Sequence, residues 1–318
     1  MKSAKKNNLS TVKVIILVVA VLIVLHFITG GKLLMPSNIL NLLSSMTVPA
    51  IMAIGFAFVF GSNVTDLSPG SMVILAATVA GIAGEAGLPV PVMVILSILT
   101  GIVCGGLNFS IFRFAKIPPW IAGLGMTMVY EAIAGYYQSI RVSNGKSVVT
   151  LSGKYTALGS VPYIYVILAV VIAAAYIIYN HTTAGINLRA AGCNEQVAGV
   201  MGINVTKSLI VCGLIAGAFF GFAGCMKESY AQFTNPQTGL SSLSTTFQPL
   251  AAVLLGKALS KNINYMIAVP IGSFLIILIF NVLTLLGVPS GTFQEACLGL
   301  VVVLFGMLAQ RGTKEVVK

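Results

Sequence analysis

The chain consists mainly of apolar runs, most of which are long enough to cross a lipid bilayer. A transmembrane α-helix needs about 20 mostly apolar residues to span roughly 30 Å of hydrocarbon. Such runs cover residues 12–29, 39–60, 69–84, 90–112, 118–138, 161–179, 208–227, 246–256, 265–287 and 295–309. The run at 246–256 is short and is interrupted by Gln248 and Pro249. The sequence predicts an all-α polytopic membrane protein with about ten transmembrane helices in a single domain, residues 1–318.

The composition excludes a soluble protein. Charged residues make up 8% of the chain, whereas a soluble domain carries roughly 25%, and the mean hydropathy is +1.00. The first run, after a polar tail at residues 1–11, has the length of a signal peptide. No A-x-A-like cleavage site follows it, and "GGKLLMPSN" is typical of a loop, so we interpret it as a span. Gly213, Gly217, Gly221 and Gly224 should let another helix approach closely in lipid.

The net charge of +11 is explained by topology. With the N-terminus in the cytoplasm, most of the 18 basic residues fall on the cytoplasmic side: Lys2, Lys5, Lys6, Lys13, Arg113, Lys116, Arg189, Lys207, Lys257, Lys261, Arg311, Lys314 and Lys318. The outer side receives Lys32, Arg141, Lys146, Lys154 and Lys227. This bias follows the positive-inside rule and predicts that both termini are cytoplasmic. Nucleic-acid binding is not expected, because no basic face is interleaved with aromatic residues.

The sequence contains no pattern of an enzyme or a metal site. Its cysteines form no C-x-x-C pair, and His26 and His181 are isolated. In "AAVLLGKALS", Ala251 and Ala258 occupy the positions where G-x-x-x-x-G-K-[ST] requires glycine and a hydroxyl residue. We therefore expect a transport protein that binds no cofactor. Its energy would come from an ion gradient or from ATP hydrolysis on another chain.

A short amphipathic segment, "NEQVAGVMGINV" at residues 194–205, lies within the long predicted inner loop 180–207. Asn194 is a good N-cap, and Glu195 follows in the first turn, where the helix dipole favours a carboxylate. Val197, Val200 and Met201 recur at helical spacing beside Ala198, and Gly202 is suited to end the helix. About two turns over residues 195–202 are too short to be stable alone. The helix must therefore be held by a contact. Three are open: it lies on the membrane interface, it packs on the protein's own spans, or it docks to a cytoplasmic partner.

Several motifs resemble those of the permease subunit of bacterial ABC importers for ribose, galactose and other simple sugars. "GCNEQVAGVMGINV" is similar to that family's G-N-E-x-A-x-x-x-G-I-N loop motif, with Cys193 in place of glycine. "SNILNLLSSMTVPAIMAIGFAFVF", "DLSPGSM" and "IPPWIAGLGMTMVYEAIA" resemble its second span, its D-L-S-x-G-S signature and its P-P-F-I-x-T-L-G-T sequence. The resemblance extends over residues 37–309. One departure is "LLGKALSKNINYMIA", where the family carries a G-G-x-S-x-x-G-G run.

The resemblance implies a bacterial inner-membrane permease with three kinds of protein partner. These are an ATP-binding subunit that carries ATP and Mg, an extracytoplasmic substrate-binding protein, and a second permease copy in a homodimer or related heterodimer. The coupling helix would dock to the ATP-binding subunit through Arg189, Asn194, Glu195, Val197, Ala198, Met201, Gly202 and Ile203. The polar outer segments 139–160 and 228–245 are plain loops or docking surfaces for the binding protein.

Polar residues within the spans are candidates for the translocation path, because charges at that depth are costly. The candidates are Asp66, Ser68, Tyr130, Glu131, Gln248 and Asn281. Asp66 precedes Pro69 and Gly70, and we favour its capping the next span over a role in transport. Glu131 belongs to the path or to a buried hydrogen-bonded pair. For the amides, including Asn108, we favour contacts between helices over contacts with a sugar. An ion-coupled secondary transporter is the alternative function.

Overall fold

The computed structural model describes residues 24–289 and 291–310, which form an all-helical bundle. Residues 24–28 are helical. The named helices that follow are α1 (Pro36–Gly61), α2 (Pro69–Glu85), α3 (Val90–Phe114), α4 (Pro119–Ser143), α5 (Tyr163–His181), α6 (Thr183–Cys193), α7 (Glu195–Val200), α8 (Val205–Ala231), α9 (Leu243–Leu259), α10 (Tyr265–Leu285) and α11 (Thr292–Gln310). A 3₁₀ turn covers Gly153–Gly159. Within the described ranges, β-type pairing is limited to an isolated bridge between Thr150 and Phe233.

A helix matches each predicted span from residue 39 onward and covers it to within two residues at either end. Of the described helices, α1, α3, α5, α8 and α10 are both long and apolar enough to cross a membrane, and α2 is a shorter apolar helix. The predicted span 12–29 lies outside the described residues except for 24–29. The predicted N-terminal tail 1–11 also lies outside them, as does the predicted cytoplasmic C-terminal tail 310–318 except for Gln310. The expected interruption at Pro249 is wrong, because α9 continues through it over 17 residues. Neighbouring helices can compensate for a lost backbone N–H in a membrane helix.

Prolines define where several helices begin. Pro36, Pro69 and Pro119 are the first residues of α1, α2 and α4. Proline is well tolerated at this position because its missing N–H would have no partner inside the helix. The starts of these three helices are therefore fixed by the local sequence.

The centre of the bundle is formed by α1 and α8. Residues 50–59 of α1 are all buried. Phe56 packs edge-on against Phe220 with ring centroids 5.4 Å apart, and Phe58 stacks on Phe219 at 5.5 Å. Lipid tails are as apolar as these side chains, so close packing, rather than escape from water, holds such helices together.

Helices α3 and α8 meet along a glycine seam, which we define as Gly101 and Gly105 of α3 with Gly213, Gly217 and Gly221 of α8. A Cβ atom added to Gly101 would collide with the carbonyl oxygen of Gly217, and one added to Gly105 would collide with that of Gly213. The two backbones therefore touch directly. The expectation that the α8 glycines permit close helix contact is confirmed. Gly224 makes a similar approach to α2 at Val73 and Ala77.

The helix ends cluster at two sides of the bundle. At one side, the α7 end, Arg113 at the end of α3 reaches Glu195 of α7, and Gly192 of α6 lies against the carbonyl of Gly61. At the opposite end, Arg141 of α4 pairs with Glu85 of α2, with 3.1 Å between Nη2 and Oε1. There the N–H of Leu151 also donates to the carbonyl of Gln232 at 2.7 Å.

Three predicted loops contain more regular structure than expected. The inner loop 180–207 includes the 11-residue helix α6. The outer segment 139–160 begins inside α4 and contains the 3₁₀ turn. The segment 228–245 is shortened at both ends by α8 and α9. Polar composition suggested loops in these segments, but polar side chains do not prevent a helix from forming or continuing.

Candidate functional site

The helix α7 is short, but residues at its own two ends cap it. The side-chain Oδ1 of Asn194 accepts hydrogen bonds from the N–H groups of Gln196 and Val197 at 3.0 and 3.1 Å. At the other end, Ile203 donates to the carbonyl of Ala198 and Gly202 to that of Gly199, both at 3.0 Å. Gly202 has φ +83°, which glycine adopts without strain. This is a Schellman ending, so α7 runs over Glu195–Val200, inside the predicted range 195–202.

One side of α7 faces the bundle and the other is open. Ala198 is buried, at 2% exposure, against the rest of the chain. Val200 and Met201, in contrast, are 90% and 72% exposed, and Val197 is exposed as well. We expected Ala198 to share one apolar side with these residues, and the structure separates them. The tip of α7 thus presents a small apolar surface, defined as Val197, Val200 and Met201.

The start of α7 is attached to the ends of two long helices. Arg113 Nη1 lies 3.4 Å from Glu195 Oε2, and Arg113 Nε donates to Thr206 Oγ1 at 2.8 Å. Arg113 ends α3 and Thr206 begins α8, so one guanidinium connects three elements. The Glu195 side chain is 55% exposed, so the ion pair contributes little energy by itself. It orients α7 rather than stabilising the fold.

Arg189 lies apart from the tip of α7. It belongs to α6, and its guanidinium carbon is 4.9 Å from the ring centroid of Tyr179 on α5. Its Nε donates to the carbonyl of Gly185 at 3.3 Å. The sequence grouped Arg189 with the α7 residues, whereas the structure places its side chain in a cleft between α1, α5, α9 and α10.

A second group of predicted residues forms a polar cluster inside the bundle. The carboxylate of Asp66 accepts from the N–H of Ser68 at 2.9 Å, from its hydroxyl at 3.0 Å, and from the amide of Asn108 at 3.2 Å. Tyr130 donates to Asn108 Oδ1 at 2.7 Å and lies 3.0 Å from the carbonyl oxygen of Cys104. These four polar side chains are all buried.

The capping role favoured for Asp66 is wrong in its geometry. Ser68 is the residue that precedes α2, and the helix start has no side-chain cap. Asp66 instead binds Ser68 itself and reaches across to Asn108 of α3. Pro69 removes one of the N–H groups that a cap would have bound. The carboxylate therefore holds the 62–68 loop against α3.

Glu131 of α4 holds a loop in place. Its two carboxylate oxygens accept hydrogen bonds from the backbone N–H groups of Leu240 and Ser242, each at 2.9 Å. These residues directly precede α9. Glu131 is buried, so the contact fixes the entry of α9 relative to α4. Both oxygens of the side chain are therefore engaged by backbone donors.

The predicted amides have different surroundings. Asn281 of α10 and Asn38 of α1 exchange two hydrogen bonds, each 3.0 Å long. This agrees with the favoured interpretation of a contact between helices. Gln248 lies half-buried in α9, next to Pro249.

Comparison with known proteins places this architecture in a transporter family. Residues 38–308 match the family model described as "Branched-chain amino acid transport system / permease component". The chain belongs to this family.

Similar curated proteins include permeases named for sugars. The ribose import permease protein RbsC of Bacillus subtilis (strain 168) is 30% identical over 297 residues, covering 92% of this chain and 90% of the relative. The galactose/methyl galactoside import permease protein MglC of Escherichia coli (strain K12) is 28% identical over 310 residues, covering 89% and 90%. The fructose import permease protein FrcC of Rhizobium meliloti is 26% identical, covering 71% and 67%. No solved structure matches the chain.

Two features of this permease were missed from the sequence. Arg113 was counted only as a topology charge, although its pairing with Glu195 positions α7. Glu228 was assigned to an outer loop, yet it lies in the last turn of α8 and is buried. Among the described residues its Oε2 has no hydrogen-bond partner. A signal for Glu228 was available, since it follows the apolar run 208–227 without a break.

Proposed function

We propose that this permease is the membrane-spanning subunit of an ATP-driven ABC importer for a sugar or a related polar small molecule. The proposal is supported by family membership over residues 38–308 and by relatives named as ribose, galactose and fructose import permeases. The chain itself carries out no catalysis. ATP and Mg belong to the ATP-binding partner.

The observation that carries the proposal is the exposed apolar tip of α7. Val200 and Met201 are 90% and 72% exposed although the helix is fixed at both ends. Exposed apolar side chains on a rigid element are typical of a protein contact. The ATP-binding subunit binds the tip and the flanking residues Asn194, Glu195, Gly202 and Ile203. Ala198, which is buried, fixes α7 to the permease.

The remaining parts of the proposal concern topology and partners. The α7 end faces the cytoplasm, because Arg113, Lys207 and Lys257 lie there, in agreement with the positive-inside rule. The protein has ten spans, both termini are cytoplasmic, and two permease copies assemble in the bacterial inner membrane. The binding protein delivers substrate at the opposite end, where the segments around Leu151 and Gln232 are connected by a hydrogen bond.

The polar cluster and Glu131 support transport indirectly. Asp66, Ser68 and Tyr130 use their polar atoms on one another and on Asn108. Glu131 uses both oxygens on backbone donors. We infer that these residues position the helices around the path rather than touch the sugar. The same bonds disfavour the ion-coupled alternative, since carboxylates engaged by protein donors are poorly placed to bind a driving ion.

The decisive experiment is affinity purification of the permease from its native membrane, followed by mass spectrometry. Wild type should recover a chain that carries G-x-x-x-x-G-K-[ST]. Val200→Asp should lose that chain, because it places a charge in the apolar contact. Val142→Asp is the matched control: Val142 is also an exposed valine, at 61%, but it lies at the opposite end.

Two results would contradict the proposal. One is wild-type protein that recovers no ATPase in mild detergent. The other is equal recovery with Val200→Asp and Val142→Asp. The substrate class is tested separately by uptake of labelled D-ribose, D-galactose and D-fructose into cells with and without the permease gene. Unchanged uptake of every sugar would argue for another polar substrate.

A further inference from the structure

We propose that the permease carries a binding site for one anionic phospholipid in a cleft at the α7 end. The cleft has a volume of about 430 Å³ and lies where α1, α5 and α9 end and α10 begins. It is lined by Phe60, Gly61, Tyr179, Asn180, Arg189, Lys257, Ser260, Ile263, Asn264 and Tyr265. Helix ends lie at the depth of the lipid headgroups, so the cleft is placed to receive one.

The cleft carries positive charge without a balancing acid. Its lining contains Arg189 and Lys257 and no carboxylate. In the described part of the chain, the ion pairs within 4.0 Å are Arg113–Glu195 and Arg141–Glu85, so neither Arg189 nor Lys257 is paired there. Stacking on Tyr179 and the bond from Nε to Gly185 hold Arg189 while its terminal nitrogens stay available. A guanidinium held in this way favours a phosphate.

A buried hydroxyl in the same cleft needs a partner. Tyr265 Oη is buried and has no hydrogen-bond partner among the described residues. A buried polar group without a partner is unfavourable. Nearby, Asn180 and Asn264 bond to each other at 3.2 Å and form part of the wall. The hydroxyl is closed to solvent, so the Tyr265 ring must turn toward the cleft before a phosphate oxygen bound there can accept its hydrogen bond.

A separate apolar groove lies further along three of the same helices and favours a lipid over a soluble phosphate. The groove has a volume of about 280 Å³ and is lined by Leu43, Met46, Ile172, Ile267, Pro270, Ile271 and Phe274 of α1, α5 and α10. On α10, these residues follow Tyr265 by two to nine positions, or about 3–14 Å along the helix at 1.5 Å per residue. A headgroup in the cleft would therefore place an acyl chain in the groove.

The site also explains where this sequence departs from the sugar-permease pattern. Lys257 and Lys261 stand in the region where the family carries paired glycines. Lys257 lines the cleft and Lys261 does not. The departure thus adds a cation to the headgroup site, and Lys261 provides a matched control four residues away.

The test uses the purified full-length permease in detergent, titrated with phosphatidylglycerol or phosphatidylcholine and followed by native mass spectrometry. We expect one phosphatidylglycerol to bind in preference to phosphatidylcholine. Lys257→Gln and Arg189→Gln should each weaken phosphatidylglycerol binding about fivefold, by the usual contribution of one basic residue near an anionic headgroup. Lys261→Gln should bind like wild type.

Tyr265→Phe separates lipid binding from folding. Because its hydroxyl has no partner, the variant should keep the wild-type melting temperature without added lipid and lose part of the stabilisation that phosphatidylglycerol supplies. Equal binding by wild type, Lys257→Gln and Arg189→Gln would overturn the proposal, as would an equal loss in Lys261→Gln. Full competition by glycerol 3-phosphate or inorganic phosphate would instead assign the cleft to a soluble phosphate and also overturn it.

Discussion

Arg113 Nη1 and Glu195 Oε2 lie 3.4 Å apart and link the last turn of α3 to the first residue of α7. The pair is exposed, so its net energy is about 1 kcal/mol or less. Its importance is geometric, because α7 has only six residues and its direction depends on such contacts.

Reversing the charge at Glu195 should impair coupling without unfolding the permease. Glu195→Lys places a second cation beside Arg113, and we expect transport-coupled ATP hydrolysis to fall several-fold, with stability changed by about 1 kcal/mol or less. The double variant Arg113→Glu/Glu195→Lys restores an ion pair and should recover much of the activity. Normal uptake by Glu195→Lys would show that α7 does not depend on this pair.

The N-cap of α7 can be tested by replacing Asn194. Asn194→Ala removes the acceptor for the N–H groups of Gln196 and Val197 and should cost about 1 kcal/mol of local helix stability. Hydrogen exchange of α7 should then become about fivefold faster, since 1.4 kcal/mol corresponds to tenfold. Asn194→Asp keeps the acceptor and should exchange at the wild-type rate. Unchanged protection in Asn194→Ala would mean that tertiary packing alone holds α7.

The carboxylate of Glu131 should be required to hold the entry of α9. Glu131→Leu leaves the N–H groups of Leu240 and Ser242 without their acceptor, at a cost of about 1–3 kcal/mol for a buried group. We expect a lower melting temperature in detergent and faster proteolysis within residues 232–242. Glu131→Gln keeps one acceptor oxygen and should show an intermediate effect. A wild-type melting temperature for both variants would contradict this role.

Asn108 and Tyr130 should be energetically coupled. Tyr130→Phe removes the hydrogen bond to Asn108 Oδ1 and should cost about 1 kcal/mol, whereas Asn108→Ala also removes one of the donors to Asp66 and should cost more. The double variant should lose less stability than the two single losses together, by about 0.5–3 kcal/mol. The melting temperatures of the four proteins test this. Simple additivity would show that the two side chains act independently.

The glycine seam predicts a strong effect from a single methyl group. Gly217→Ala would drive a Cβ against the carbonyl of Gly101, and overpacking of this kind costs about 1–3 kcal/mol or more. We expect poor yield of folded protein on size-exclusion chromatography. Gly125→Ala is the control, since nothing lies within 4 Å of the added atom. Equal yields of the two variants would contradict the prediction, because they would show that α3 and α8 can move apart enough to admit the added methyl group.

The positions of the helices could largely be predicted from the sequence, because the signals are local. These signals are the apolar runs, the prolines at helix starts, and the capping residues Asn194 and Gly202 of α7. The cap at Asn194 and the ending at Gly202 were predicted correctly for the same reason. The hydrogen-bond partners of residues that lie on different helices could not be predicted from the sequence. Nothing local connects Asp66 to Asn108, or Glu131 to Leu240, because these contacts depend on how distant helices pack.

Helix boundaries at the two ends of the bundle were also hard to predict. Polar composition suggested loops, yet α6 forms within residues 180–207 and α8 continues to Ala231. A membrane helix often extends beyond the hydrocarbon, where its side chains become polar while its backbone stays helical. Glu228 was missed for this reason. Arg189 was placed near α7 by sequence proximity, although the twist of α6 turns its side chain to Tyr179.

The glycine seam has a mechanical consequence for how force would travel through the permease. Helix α8 begins at Val205, three residues after Gly202, and touches α3 backbone to backbone along the seam. Arg113 joins the same two helices to α7. A displacement of α7 would therefore move α3 and α8 together as one rigid unit. The sliding needed to open and close a passage must then occur at the outer surfaces of this unit, away from the backbone contact of Gly224 with α2.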